Sequence, residues 1–376
     1  MNLTVNRSEL TKALSIVARA ANPKGYLPIL GNILLSADND GKLLVAASDL
    51  ETTATYQVSA EVAETGKITI PENVITDLLK VINGDKVHLH ALNNRVLVVE
   101  DSESKAEIRG IPADEFPPLP EAIETMTSFE AAELKRALLQ TTFAAEKNGL
   151  RPTLEGVLVE SVNDHATFVA TDGFRLSVVQ STAKLSEGKS FILPSTGLRE
   201  LAKLLLLDSE VSMCTTSNNQ VMFKNHAMTF SMSCVDGRFP DYKAVLDNLN
   251  SSTVVVVETD PLLEACLRAD IIIREENVSR HIVFDIAVDK VNVSGRSKQS
   301  GSAETDVPAQ VNGQPIKIAF NPKFIIEALK AVNGPIVTIE LSSPNAPVLI
   351  RSGAFRHALM PLTPISKGGE EDDNRD

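Results

Sequence analysis

Apolar and polar positions along this chain follow two rhythms, and the switch from one to the other is written three times. Lys67-Ile68-Thr69-Ile70-Pro71 leads into Glu72–Ile82, Ser190-Phe191-Ile192-Leu193-Pro194 into Ser195–Leu207, and Lys317-Ile318-Ala319-Phe320-Asn321-Pro322 into Lys323–Val332. Each copy predicts a short apolar strand, a proline, and an amphipathic helix. Proline fixes φ near the helical value and lacks an N–H that a first turn leaves unpaired, so it suits the first helical position. Behind it apolar residues fall at helical spacing: Val74, Ile75, Leu78, Leu79 and Ile82; Leu198, Leu201, Leu204 and Leu205; Phe324, Ile325, Leu329 and Val332. Asn83-Gly84 and Asn333-Gly334 read as helix ends. From Pro71 to Pro194 is 123 residues, and from Pro194 to Pro322 is 128. That period exceeds a solenoid unit of roughly 20–50 residues and fits a whole domain of about 100–150.

The rest of each period recurs as well. Each opens with a strand and an amphipathic helix: Asn2–Val5 then Ser8–Ala20, Thr127–Phe129 then Glu130–Phe143, Thr253–Glu258 then Pro261–Asp270. Leu10, Leu14 and Val17 are mirrored by Leu134, Leu138 and Thr141, and again by Leu262, Cys266 and Ala269. Hairpins of alternating strands follow: 33–35 with 43–47, 157–160 with 166–170, and 282–286 with 290–294, around Asp38–Gly41, Asn163-Asp164 and Val288-Asp289. After the strand–proline–helix element comes a meander, 87–92 with 96–100, 211–215 with 221–224, and 337–341 with 348–351, each followed by one more strand. The expected fold class is therefore α+β: three repeated domains, 1–126, 127–251 and 252–362, each with two helices backed by antiparallel sheets. Thr363–Asp376, with Gly368-Gly369 and four consecutive acids, reads as a disordered acidic tail.

Composition narrows the function. A 43% apolar content supports real cores. No apolar run approaches the roughly 18–20 residues of a membrane span, and Met1–Arg7 has no signal-peptide character. Cys214, Cys234 and Cys266 lack metal-ligand spacing and read as reduced thiols of a cytoplasmic, non-catalytic protein. The net charge of −13 argues at first against a nucleic-acid partner. Its distribution argues otherwise. The six expected helices hold ten Lys/Arg against nine Asp/Glu, so the deficit lies outside them. Their polar faces carry Lys12, Lys80, Lys135, Arg136, Arg199, Lys203, Lys323 and Lys330, while Glu9, Glu72, Glu130 and Glu133 sit in first turns, where the helix dipole accommodates acids. Such faces suit sequence-independent contact with phosphate; ordinary solvated helix faces are the plainer reading of the same pattern.

Four further segments carry a resemblance. Leu27-Pro28-Ile29-Leu30-Gly31-Asn32, Ala170-Thr171-Asp172-Gly173-Phe174-Arg175-Leu176, Val235-Asp236-Gly237-Arg238-Phe239-Pro240-Asp241-Tyr242 and Met360-Pro361-Leu362 resemble, in order and spacing, the bacterial sliding-clamp family, the β subunit of replicative DNA polymerase III. The likeness spans residues 1–362. It implies a non-catalytic processivity factor without cofactor or metal, whose two protomers join head to tail into a ring of six similar domains. Helices would face encircled duplex DNA, sheets would form the rim, and partners would include the polymerase α subunit, the clamp loader and other peptide-motif proteins, with no membrane association.

The resemblance also implies a groove that takes a short peptide, a glutamine followed by apolar residues. Matched position by position, its walls would be Leu154, Thr171, Gly173, Phe174, Arg175, Leu176, Pro240, Val245, Asn321, Phe324, Pro347, Met360, Pro361 and Leu362. Phe174 stands where the family often has His, Ala244 where a basic residue occurs, and the chain continues past the Met-Pro segment. Lys24 and Arg151 match DNA-facing loop positions; Arg199, Lys203, Lys323 and Lys330 join them from the helix pattern. Ile108, Ile271 and Ile272 would join the protomers through apolar contact.

Two rival classes draw on the same residues. Asp172 beside Gly173 and Arg175, with His165 as base, could be read as an enzyme site, but no nucleophile elbow or phosphate loop accompanies it, and Asp172 before glycine fits a turn. His88 and His90 share a strand face, a pair more often surface than metal site. An adaptor with the same fold and groove, not loaded on DNA, is the second rival.

Overall fold

The computed structural model describes residues 1–147, 149–275 and 280–362; the expected acidic tail lies outside them. The first period folds as β1 (Asn2–Asn6), α1 (Arg7–Val17), β2 (Asn32–Ala37), β3 (Lys42–Ser48), β4 (Thr52–Glu64), β5 (Gly66–Pro71), α2 (Glu72–Val81), β6 (Lys86–Asn93), β7 (Val96–Glu100) and β8 (Lys105–Arg109). The second runs β9 (Ala122–Glu130), α3 (Ala131–Thr141), a one-turn α4 (Pro152–Glu155), β10 (Gly156–Val162), β11 (His165–Thr171), β12 (Arg175–Lys184), β13 (Ser190–Pro194), α5 (Ser195–Leu204), β14 (Glu210–Thr216), β15 (Gln220–Asn225) and β16 (Met228–Ser233). After a short α6 (Tyr242–Asp247), the third runs β17 (Thr253–Glu258), α7 (Thr259–Ile273), β18 (Ile282–Ile286), β19 (Lys290–Ser297), β20 (Gly301–Asn312), β21 (Ile316–Phe320), α8 (Pro322–Ala331), β22 (Ile336–Leu341), β23 (Val348–Ser352) and β24 (Phe355–Leu359).

The same hydrogen bond closes all three periods. The first helix begins with an N–H that has no partner inside the helix. In each period that N–H donates to a carbonyl just past the second helix: Arg7 to Asp85, Ala131 to Ser209 and Thr259 to Pro335, all at 2.8 Å. Side chains double the tie in two of them, Arg7 Nε donating to the Gly84 carbonyl (2.8 Å) and Thr259 Oγ1 to that of Gly334 (2.9 Å). The two glycines are therefore acceptors. Neither adopts positive φ, and both helices end earlier, at Ile82 and Val332, in extended backbone; the sequence pattern had made Gly84 and Gly334 the stops. The prolines differ too. Pro71 and Pro194 are extended N-caps one residue before their helices, and only Pro322 takes the first helical position. Asn321 accounts for the difference, because its side chain accepts from the Lys323 N–H at 3.0 Å and can take the cap itself.

The long strands β4, β12 and β20 are absent from the sequence expectation, which ended each hairpin before them. They also explain why the middle period does not stand as a compact body. By packing, the chain forms two units: Met1–Leu138 with Glu160–Ala166 and Thr182–Asp236, and Leu139–Val159 with Thr167–Ser181 and Gly237 onward. In the first, β4 pairs with β1 and β3 and also with β16 of the middle period. Its sheet runs β8-β7-β6-β1-β4-β16-β15-β14-β9, with β3, β2 and β5 branching from β4. In the second, β12 pairs antiparallel with β24, Arg175 opposite Leu359, and the sheet continues through β23, β22, β17, β20, β19 and β18 to β21. Each half of the middle period is thus extended by a neighbour's strands.

The helices bury the faces that the spacing marks. Leu10, Leu14 and Val17 are buried on α1, which packs on β4 and α2; Leu134 and Leu138 are buried on α3, and Leu262, Cys266 and Ala269 on α7, which packs on β19, β20 and α8. Val74, expected on the apolar face of α2, is 43% exposed, leaving Ile75 and Leu79 as the anchors. In the second unit α7 and α8 lie over one core that includes Phe284, Phe320, Ile325 and Leu329. Gly295 of β19 permits the close approach of α7: a Cβ there would meet Ala269 O and the Ile273 side chain at 3.0 Å. The expected protomer contacts divide. Ile108 is buried in β8 opposite Leu97, so it serves the chain's own core; Ile271 is 60% exposed, Ile272 is half-buried, and Ile273 is core.

Candidate functional site

In the second unit, the turn between β11 and β12, α6 and the end of β24 enclose a groove of about 410 Å³. Most of the expected walls are there: Leu154, Thr171, Gly173, Phe174, Arg175, Leu176, Pro240, Val245, Pro347 and Met360. Asp241, Tyr242, Ala358 and Leu359 complete it. Asp241 and Tyr242 lie inside a quoted motif, yet α6, which turns them inward, carries no strong helical signal. Ala358 and Leu359 follow from the register of β24 opposite β12. Among the described residues, Phe174 (64% exposed), Val245 (44%) and Met360 (41%) present apolar surface at the groove. An open, mostly apolar trough with a few fixed polar groups suits an amphipathic segment.

The turn is built from its own side chains. Asp172 Oδ1 accepts from the N–H groups of Phe174 (3.0 Å) and Arg175 (3.1 Å), an Asx turn. Thr171 Oγ1 donates to the Arg175 carbonyl (2.7 Å) and accepts from Gly173 N–H (3.1 Å). Gly173 sits at φ +89°, where a side chain would be strained. The Asp172 carboxylate is thus engaged in holding a turn, and His165 Nδ1 lies 2.8 Å from the Asn163 carbonyl. Neither is arranged for acid–base work.

Arg175 organises the floor. Its side chain is only 3% exposed and every arm of the guanidinium is used: Nε donates to Asp172 Oδ2 (3.0 Å), Nη1 to Glu327 on α8, and Nη2 to the Phe143 carbonyl (2.7 Å). Its Cζ lies 4.3 Å from the Phe324 ring centroid and 5.3 Å from that of Phe143. A planar, permanently charged fork suits such a site where an ammonium would not. The expected groove residues Asn321 and Phe324 consequently stand behind the wall, Asn321 capping α8 and Phe324 stacking on Arg175. Pro361 and Leu362 run past the groove instead, where the Leu362 N–H donates to Ala319 O at 2.8 Å.

Beside this floor lies a buried histidine. His357 is fully enclosed on β24, its Nδ1 is 2.7 Å from Ser177 Oγ, and its ring stacks with Phe143 and Phe355 at 5.4 and 5.9 Å. Nε2 is buried without a partner. Burial, and secondarily the Arg175 charge, push the imidazole down to about 3. The unfolded chain takes up a proton near pH 6.5 that the folded chain refuses until about pH 3, so stability falls as pH drops through that window, by about 1.4 kcal/mol per pH unit from this group. Urea unfolding from pH 7 to 4 should show the loss. Replacing both partners, Ser177→Ala with His357→Phe, should flatten that part of the profile; an unchanged slope would contradict it.

The expected DNA-facing cations lie in both units. Lys24 is exposed on a loop, Arg199 is half-buried with Nη2 3.1 Å from Ser195 Oγ, and Lys203 pairs with Glu200 at 2.6 Å. Lys323 and Lys330 are exposed on α8. Arg151 departs from the expectation: it lines the groove, donating to Glu146 of its own loop (3.2 Å) and to the Asp172 carbonyl of the turn (3.3 Å). Burial pushes the Cys234 thiol up to about 11 and Cys266 higher still, which matches thiols that are not nucleophiles. Among the described residues no group of three or more His, Cys, Asp or Glu could hold a metal ion, and no helix is long and apolar enough to cross a membrane.

Comparison with known proteins agrees with this geometry. Family models of the DNA polymerase III beta subunit match the chain in three stretches: the N-terminal domain over 1–120, the central domain over 128–241 and the C-terminal domain over 249–362. A relative from Vibrio cholerae, named Beta sliding clamp, is 29% identical over 369 residues, covering 97% of this chain and all of that protein. The crystal structure of the DNA polymerase III subunit beta from Pseudomonas aeruginosa superposes with a TM-score of 0.88 at 28% identity, over 96% of this chain and 100% of that one. The DNA polymerase sliding clamp from Bacillus subtilis, at 24% identity, has the same fold, with a TM-score of 0.91 over 96% of this chain and 99% of that one. With three consecutive family models spanning nearly all of its described length, the chain belongs to the DNA polymerase III β-subunit family.

Proposed function

We propose that this chain is a DNA sliding clamp: two copies close head to tail into a ring around duplex DNA and tether the replicative polymerase, without catalysing a reaction. The observation that carries the reading is the threefold period, with its repeated 2.8 Å closure between first helix and second-helix loop, in a chain that three consecutive clamp family models match between residues 1 and 362. The three domains are taken as 1–126, 127–251 and 252–362. Lys24, Arg199, Lys203, Lys323 and Lys330 are the cations proposed to meet phosphate. Arg199 is half-buried and Lys203 is paired with Glu200, which suits a ring that slides, since a tight grip on phosphate would hold it in place. The groove lined by Leu154, Leu176, Val245 and Met360 is the proposed dock for the short peptide motifs of the polymerase α subunit, the clamp loader and other partners. Ile271 and Ile272 are the proposed apolar contacts between protomers, and the cytoplasm is the proposed compartment.

Light scattering tests the ring. A protomer of 40.5 kDa should elute at about twice that mass at micromolar concentration. Ile271→Asp places an unpaired charge in the joint and should shift the mass toward one protomer. A wild-type chain that stays monomeric at that concentration would contradict a self-closing ring.

A further inference from the structure

We propose that Glu327, which does not line the groove, is a positioning residue for peptide binding, acting through Arg175. The inference rests on the groove being the peptide dock. Glu327 is carried by a helix held at both ends and along its buried face. Asn321 caps the first turn of α8, Gln140 Nε2 donates to the Ala331 carbonyl at its last turn (2.8 Å), and Ile325, Ile326, Ala328 and Leu329 are buried. The carboxylate is therefore a fixed point. Through Nη1 it fixes a guanidinium whose remaining arms hold the Asp172 side chain and the Phe143 carbonyl. Asp172 in turn holds the N–H groups of Phe174 and Arg175, and the Arg175 carbonyl receives Thr171. The exposed wall of the groove, Gly173-Phe174, is thus tied to α8 by one chain of charge-assisted bonds. Without Glu327, Arg175 keeps two of its three hydrogen-bond partners but loses the one on α8. The turn then samples positions that a peptide must reorder on binding, and that ordering costs affinity.

Glu327→Gln keeps shape and removes charge. Fluorescence anisotropy with a labelled peptide of one glutamine followed by leucine and phenylalanine should show Kd raised about tenfold. The stoichiometry should stay at one peptide per protomer and the urea midpoint near the wild-type value. The loss should fall mainly on the association rate, and Glu327→Asp should recover part of it. Asp172→Asn combined with Glu327→Gln should cost less than the product of the two single losses, since both act on one guanidinium. Val245→Asp places a charge on the exposed groove wall and tests the parent reading. If the wild type does not bind the peptide, or Val245→Asp leaves binding intact, the groove reading itself fails. If both behave as expected while Glu327→Gln binds within twofold of wild type, or its loss tracks unfolding alone, the positioning role is overturned.

Discussion

Arg175→Ala is expected to be the most damaging single substitution in the second unit, lowering stability by about 3–5 kcal/mol and removing peptide binding. The magnitude follows from what is left behind. Breaking a buried ion pair by deleting one partner strands the other; here the Asp172 and Glu327 carboxylates lose their shared cation, the Phe143 carbonyl loses its donor, and two aromatic rings lose the group stacked on them. The Asx turn has only its backbone bonds to hold it. Arg175→Lys should rescue little, because an ammonium has neither the planar fork nor the stacking face. Urea unfolding and peptide titration of the two variants against wild type check both parts. A stability loss under about 1 kcal/mol for Arg175→Ala, at the level of an exposed pair, would show that the network is not what holds the groove.

Much of this was legible before any coordinates. The three strand–proline–helix copies, the hairpins and the meanders are local patterns. Asn163-Asp164, expected as a tight turn, adopts positive φ at both residues (52° and 61°), as a primed hairpin turn requires. What was not legible has physical reasons. The outer half of β4, Ser59-Ala60-Glu61-Val62-Ala63-Glu64, alternates, but with small and acidic residues, so no apolar stripe announces a strand. The inner half, Thr52–Tyr56, pairs with β16, more than 170 residues away in the chain, and that pairing is what merges part of the middle period with the first. The offset of Pro71 and Pro194 depends on whether the preceding residue can cap a helix; Asn321 can, and Ile70 and Leu193 cannot.

The groove divides in the same way. Its walls came from motif resemblance, and the fold gathers most of them. Glu327 and Phe143 carry no local mark. Glu327 is one acid on an amphipathic helix, and its partner lies 152 residues earlier. His357 looked like one of six scattered histidines, and only burial between two rings reveals it as a group that stays neutral. Arg151 was placed by motif resemblance alone, and its hydrogen bond to the Asp172 carbonyl spans 21 residues, which a local pattern does not show.

The second large effect is topological. A ring that encloses DNA is held by the continuity of the circle, so its dwell time should depend on DNA ends far more than on salt or sequence. Neutralising Lys203, Lys323 and Lys330 together should shorten that dwell and lower the salt slope by roughly one for each phosphate no longer neutralised, a smaller change than opening the circle. The most direct measurement incubates the protein and a clamp loader with a nicked circular plasmid, isolates the complex by gel filtration, and cuts the DNA once with a restriction enzyme. Co-elution with the circle and release on linearisation is the predicted result. A protein that stays bound equally to both forms, or never co-elutes with the circle, would contradict encirclement.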